Sequence, residues 1–157
     1  MARFAAEFRE TFTTTAPLAV AHRAFGDLDV LIANYGDLEK ATKHDDRTVE
    51  YLLKEANHGV TTFQGHYTCR YEYPDDHTVS WQTTSEGSNT KAWGTATFSE
   101  AGGTTSIDYN GHIEIEMGIP RMMAPMLKPV VAQIAAAEMK NFVKRMVKAA
   151  EAEADRG

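Results

Sequence analysis

The longest periodic signal in this chain lies at its C-terminal end. From Pro129 to about Glu153 no Pro or Gly interrupts. About 24 residues at ~1.5 Å each predict a rod of roughly 36 Å. Val131, Ala132, Ala135, Ala136, Met139, Phe142, Val143, Met146, Val147 and Ala150 fall on one broad arc of it. Gln133, Lys140, Asn141, Lys144, Arg145 and Lys148 fall on the other. This is the pattern of an amphipathic helix laid on a core. The apolar arc is graded, with alanines in its first half and Phe142, Met146 and Val147 in its second. Small side chains at one end either pack closely or leave room. If the surface opposite curves away, that room becomes a cavity. Pro120, Pro125 and Pro129 crowd the start. Proline is tolerated in a first helical turn and breaks a hydrogen bond further in. The stretch 122–127 is therefore expected as a separate turn or as a kinked part of the helix.

The rest of the chain reads mostly with period two. Residues 3–14 set Phe4, Ala6, Phe8 and Phe12 against Arg3, Glu7, Arg9 and Thr11, a half-buried strand. Glu10 interrupts the apolar face and is expected at a barrel mouth, a bulge or a pocket. Thr13, Thr14 and Thr15 before Ala16 and Pro17 predict a Thr cap and a short helix over 19–25, ended by Gly26. Asp27 caps a second short helix, 28–34, stopped by Gly36. Six strands follow, over 38–43, 48–54, 61–73, 78–84, 90–99 and 105–117. Between them lie turns at Asp45 and Asp46, at Asn57 to Gly59, at Pro74 to Asp76, at Glu86 to Asn89 and at Ala101 to Gly103. Such short polar turns predict antiparallel neighbours. Strands segregated from helices make an α+β fold. One polar and one apolar face per strand suits a sheet covered on one side, and only the long helix is large enough to cover it. No repeat, low-complexity tract or linker divides the chain, so a single domain over residues 1–157 is expected.

Composition narrows the function classes. A hydrophobic content of 43% with 24% charged residues is that of a globular chain. The net charge of −6 argues against nucleic acid as a partner, because phosphate binding rests on clustered Lys and Arg. Cys69 is the only cysteine, which rules out an internal disulfide and fits a reducing compartment. Glu7, Arg9 and Glu10 occupy the place of an export signal's apolar run. No apolar stretch is long enough for an integral membrane segment. A cytoplasmic location is the resulting expectation.

The order strand, two short helices, a run of strands and one long helix resembles the helix-grip fold of the START, Bet v1 and polyketide-cyclase superfamily (SRPBCC). Local support comes from Thr14, Thr15, Ala16 and Pro17 before the first helix, and from Gly26 and Asp27 before the second. At the other end, Ile119 and Pro120 leave the last strand and Leu127 begins the helix proper. The resemblance covers Arg3 to Lys148. Many relatives carry a Trp after the second short helix; here the nearest aromatic is Tyr35, which leaves the subfamily open. The resemblance implies a START-like domain, with a seven-stranded curved antiparallel sheet around the C-terminal helix. It also implies a cavity between helix and sheet for a hydrophobic small molecule such as a lipid, a sterol or a polyketide.

By alternation, Phe8, Phe12, Val49, Tyr51, Phe63, Tyr67, Cys69, Tyr71, Trp81, Trp93, Tyr109 and Ile113 face the helix. On the strand of Trp93, Ala92, Gly94, Ala96 and Phe98 make a rival apolar face. Met122, Met123, Met126, Val130, Val131 and Ala135 are the candidates from the helix side. The expected ligand contacts are Phe12, Tyr51, Phe63, Tyr67, Cys69, Tyr71, Trp81, Trp93, Tyr109, Ile113, Met123, Leu127, Val131 and Ala135. Aromatics with polar tips suit a mostly apolar site with a few hydrogen bonds. A filled core would turn the same residues inward, so alternation leaves open and filled interiors equally allowed. His66, His112 and Glu114 are expected on the outer face, and no catalytic residue is assigned. No phosphate-binding glycine loop, H-E-x-x-H or G-x-S-x-G pattern occurs. One Cys with scattered His offers no zinc spacing, so neither metal nor cofactor is expected. Binding or transport of an apolar molecule is the leading reading. The alternative is a polyketide cyclase or dehydratase-like enzyme using Glu10, Tyr67 or a reoriented His.

Overall fold

The computed structural model describes residues 1–57, 61–84 and 88–156. The chain opens with β1 (Ala2–Thr14), followed by α1 (Leu18–Ala24) and α2 (Leu28–Asn34). Eight strands come next: β2 (Leu38–Lys43), β3 (Thr48–Leu53), β4 (Ala56–Asn57), β5 (Thr62–Phe63), β6 (His66–Asp75), β7 (Thr78–Thr83), β8 (Thr90–Ala101) and β9 (Thr104–Met117). The helix α3 (Ala124–Arg156) closes the chain. Seven strands form one antiparallel sheet in the order β1-β9-β8-β7-β6-β3-β2, and β4 pairs separately with β5. The α+β helix-grip architecture expected from the sequence is therefore the one found. Among the described residues no helix is long and apolar enough to cross a membrane.

The two longest strands keep the register their alternation requires. β1 and β9 pair without interruption from Ala2 opposite Met117 to Thr14 opposite Thr105. β8 turns into β9 through Gly102 and Gly103 alone, both at positive φ (60° and 85°). Two left-handed residues give the turn the twist of its flanking strands, and glycine adopts them without a Cβ clash.

Three local expectations are corrected. The single strand over 61–73 is interrupted at Gln64 and Gly65, so Phe63 belongs to the β4–β5 hairpin rather than to the main sheet. Asn89 holds the break. Its amide donates to the Gln64 carbonyl (2.8 Å), and its carbonyl oxygen accepts from the His66 N–H (3.0 Å). These bonds satisfy backbone groups that leave the ladder. The expected turns at 57–59 and 86–89 fall partly on residues 58–60 and 85–87, outside the described residues.

The first short helix does not have the Thr cap expected from Thr13, Thr14 and Thr15. Pro17 holds the cap position without a side-chain bond. The Thr14 hydroxyl instead accepts from the Ala16 N–H (3.2 Å) and donates to Glu151 (2.8 Å), which ties the end of β1 to α3. Asp27 does cap α2, accepting from the N–H groups of Asp29 and Val30. That helix ends at Asn34, and the left-handed residue beyond it is Asp37 (φ 53°), not Gly36. A short polar side chain makes that conformation tolerable.

At the start of the long helix the separate turn shrinks to a 3₁₀ turn, Arg121–Met123, and α3 begins at once with Ala124. Pro125 falls in the first turn. Pro129 lies inside the helix, where its ring removes the bond to the Pro125 carbonyl. Both prolines are exposed, so water can satisfy that carbonyl.

The core has two parts. Val143, Met146 and Ala150, on the second half of α3, are fully buried in a cluster with Val49, Phe98, Ile107, Phe25 and Leu31. Ala2, Phe4, Met117, Ile119 and Ala124 form a smaller cluster where the helix begins. Between the two, Val131, Ala132, Ala135 and Ala136 are only half-buried. The helix meets the sheet firmly at its ends and loosely in between.

Candidate functional site

The loose contact is a cavity of about 300 Å³ between the first half of α3 and the sheet. That is the lower end of the range of small-molecule sites. Its floor is aromatic. Trp81 from β7 and Tyr109 from β9 stack with ring centroids 5.1 Å apart and planes at 28°. They can lie against the sheet because the paired positions Gly94 and Gly111 carry no side chain. A Cβ on Gly94 would stand 2.6 Å from the Trp81 indole and collide with the Asn110 carbonyl oxygen. On Gly111 it would meet the Tyr109 ring at 2.9 Å and the Met139 sulfur at 3.2 Å. Glycine within a strand often marks such close approach.

One end of the cavity is built from tyrosines. Tyr35, just past α2, and Tyr67, on β6, share a hydrogen bond of 2.5 Å between their hydroxyls. Tyr71, also on the wall, shares another of 2.9 Å with Tyr51 behind it. Tyr51 lies under both cavity phenols, with ring centroids 4.5 Å from Tyr35 and 5.2 Å from Tyr67. Burial raises the pKa of all four phenols and of Tyr109. Burial also pushes the Cys69 thiol up to about 12, against a smaller opposing effect of its hydrogen bond with Tyr71. At neutral pH the phenols are neutral groups able to donate and accept hydrogen bonds, and the thiol is not a nucleophile.

Two results follow for alkaline pH and thiol chemistry. Above about pH 9, the ordinary value of the Cys69 thiol, the unfolded chain releases a proton that the folded chain keeps until about 12. The folded state then binds more protons, so stability falls across that interval, and the buried phenols add to the fall. Iodoacetamide at pH 8 is expected to leave Cys69 unmodified in the folded protein and to alkylate it in denaturant. Equal labelling in both states would show that Cys69 is not buried.

On the helix side, Val131, Ile134 and Met139 flank one row. Ala135, Glu138, Phe142 and Arg145 follow each other at spacings of three, four and three, and all four line the space. Such spacing places side chains on one helix face. The Arg145 Nε donates to the Asn34 carbonyl at the end of α2 (2.7 Å). Asp37 and Lys54 stand at the same end, joined by the Lys54 N–H donating to the Asp37 carbonyl (2.7 Å).

Of the residues expected from sequence, the structure brings together Phe63, Tyr67, Cys69, Tyr71, Trp81, Tyr109, Ile113, Val131 and Ala135 around the cavity. Tyr51 is fully buried one layer behind it. Phe12 packs with Phe8 against the main core (6.2 Å between rings) and does not reach the wall. Leu127 packs on the cluster around Phe4, and Met123 belongs to the 3₁₀ turn; neither lines the space. Trp93 lies on the outer face, 37% exposed, with its ring stacked on His112 at 5.3 Å. The rival face of that strand is the inner one: Ala92 lines the cavity, and Ala96 and Phe98 are buried. Met122, Met126 and Val130 point to water, at 90%, 79% and 51% exposure. Glu10 pairs with Lys140 (3.3 Å) outside the wall. His66 sits on the outer face against Glu50 (2.6 Å), whose carboxyl the His66 and His44 hydrogen bonds hold below its ordinary range.

Sequence reasoning missed Tyr35, Leu53, Ile115, Glu138 and Arg145 as wall residues, and His112, expected on the outer face and stacked there on Trp93, also borders the cavity. It placed Met139 and Phe142 on the apolar arc without assigning them to the site. Arg145 was expected on the solvent arc and is half-buried. Its spacing from Phe142 and Ala135 was the available signal.

No protein-family model matches the sequence, and no curated protein matches it. Solved structures do resemble the fold. TTHA0849 from Thermus thermophilus aligns over 94% of this chain and 98% of its own, with a TM-score of 0.73 and 16% identity. A START superfamily protein from Mycobacterium smegmatis aligns over 92% and 97%, with a TM-score of 0.65 and 11% identity. The di-domain ARO/CYC StfQ from the steffimycin biosynthetic pathway aligns over 97% of this chain and 52% of its own, at 0.63 and 7%. At such identities the likeness is one of backbone, and in backbone this chain has the START-like helix-grip fold.

Proposed function

We propose that the protein binds a hydrophobic small molecule in the space between sheet and α3, as a single-domain carrier in the cytoplasm. One observation carries the reading: about 300 Å³ stands open beneath Val131 and Ala135, although Val143 and Met146 on the same helix are sealed. A protein interior is ordinarily close-packed, and a void of this size forfeits contacts that a guest would restore. The wall suits an apolar guest with a few polar atoms. Trp81 and Tyr109 offer flat faces, and the Tyr35 and Tyr67 hydroxyls offer hydrogen bonds.

Those same hydroxyls favour one second reading, a polyketide cyclase or dehydratase-like enzyme in which neutral phenols polarise a carbonyl of the bound substrate. Such a role needs donors, and the raised phenol pKa values keep the protons in place. The buried Cys69 thiol and Glu10, outside the wall, supply no nucleophile or base for it; of the other titratable groups bordering the space, Glu138 is exposed and His112 is stacked on Trp93.

Native mass spectrometry of protein purified from its own host is expected to show an apolar adduct that organic solvent extracts. Protein that emerges free of adduct, and that takes up no apolar fluorophore, would remove the binding reading. Conversion of the extracted compound by the protein would move the choice to the enzyme.

A further inference from the structure

The cavity wall contains one charged group whose bonding is incomplete. Arg145 is half-buried. Its Nε is committed to the Asn34 carbonyl, which fixes the plane of the guanidinium. Among the described residues its two terminal nitrogens have no hydrogen-bond or ion-pair partner. Gly36 stands beside them. A Cβ there would lie 3.1 Å from Nη2 and 4.0 Å from the Glu138 Oε2, so the absence of a side chain leaves a gap between the fork and that carboxylate. A half-buried cation with unused donors has lost part of its water without gaining an acceptor, an incomplete state that a ligand can complete.

Three other charges share this end of the cavity. Asp37, Lys54 and Glu138 are all exposed, and among the described residues neither acid forms an ion pair with Arg145, although the Glu138 carboxylate borders the same gap at Gly36. Their exposure leaves those three groups open to solvent. Arg145 is the charge for which an acceptor inside the cavity matters most. A planar fork matches a carboxylate or a phosphate in two parallel hydrogen bonds. The remaining wall is mostly aromatic and aliphatic. It favours the singly charged carboxylate over a phosphate ester, whose greater charge costs more to desolvate.

We propose that the cavity selects an apolar carboxylic acid, with its carboxylate accepting from the terminal nitrogens of Arg145 and its hydrocarbon or aromatic body within the apolar wall. This rests on the cavity being a ligand site, and it assigns that ligand a chemical class. The role of Glu138 is then to stand at the exposed rim as a solvated charge.

The test compares three probes with one body at pH 7: 2-naphthoate, methyl 2-naphthoate and 2-naphthylmethylamine. On the unaltered protein the acid is expected to bind about tenfold or more tightly than the ester, the scale of a charge-assisted bidentate contact. Arg145→Gln should bring acid and ester within about twofold, and Arg145→Lys, which keeps the charge and loses the fork, should fall between. Ester binding to Arg145→Gln reports that its cavity is still formed. If that variant is unfolded, the comparison on the unaltered protein decides alone. Equal affinity for acid and ester, or tightest binding of the amine at Glu138, overturns this inference and leaves the cavity reading intact. If none of the three binds, both fall.

Discussion

Ala135→Trp is expected to abolish uptake of apolar ligands while the protein remains folded. Ala135 is half-buried and faces the cavity from the first half of α3. In a filled core an alanine-to-tryptophan change would overpack, at a cost of about 1–3 kcal/mol or more. Here the indole has about 300 Å³ to enter. It would cover the stacked faces of Trp81 and Tyr109 and occupy the place of a guest. Affinity for an apolar fluorophore should fall by about 100-fold or more, since most of the ligand's buried area is displaced. The melting temperature should move by only a few degrees, on the scale of about 1 kcal/mol. A collapse of the melting temperature would mean that no void exists beneath Ala135, and the proposed binding function would lose its main support.

The second large effect is on stability. Met146→Ala should cost about 2–5 kcal/mol, the range for deleting a sealed core side chain. Met146 is fully buried among the residues that join α3 to the sheet. Val131→Ala, fifteen positions earlier on the same helix, should cost less than about 1.5 kcal/mol, because Val131 already borders open space. Urea unfolding of the two variants measures the difference directly. Equal costs would mean that the helix is packed evenly along its length. The two experiments probe the same taper from opposite ends: one fills the loose half, the other empties the tight half.

How much of this was legible beforehand differs from element to element. The alternation of β1 and β9 was clear in the residues, because β1 has a wetter and a drier face over its whole length and β9 has them from Thr104 to Gly111. The graded arc of α3 was equally clear, and its alanines do mark the loose stretch. Trp93 was misread because its strand offers two apolar faces. The aromatic one lies outside, where Trp93 stacks on His112, and the small one lies inside, where Gly94 leaves room for Trp81. Hydrophobicity alone favours the larger residue for burial. The space beneath a neighbouring strand's indole decided otherwise. Met122, Met126 and Val130 were misread for a related reason: α3 starts at Ala124, and the row they share points to water. Phe63 faces the cavity from a separate hairpin, a position that no pattern within 61–73 marks.

The residues by themselves determined the sequence of elements, the antiparallel sheet and the tapered helix, because turn chemistry and the periods of two and 3.6 are local properties of the chain. Only the tertiary structure decided that the interior is open, that the Tyr35 and Tyr67 hydroxyls meet, and that Arg145 stands in the wall with its fork uncovered. Each of these depends on distances between groups far apart in the chain: 32 positions separate the two tyrosines and 111 separate Asn34 from Arg145. A pattern along one strand or helix states which way a side chain turns. Whether anything fills the space it turns into is settled by the elements opposite.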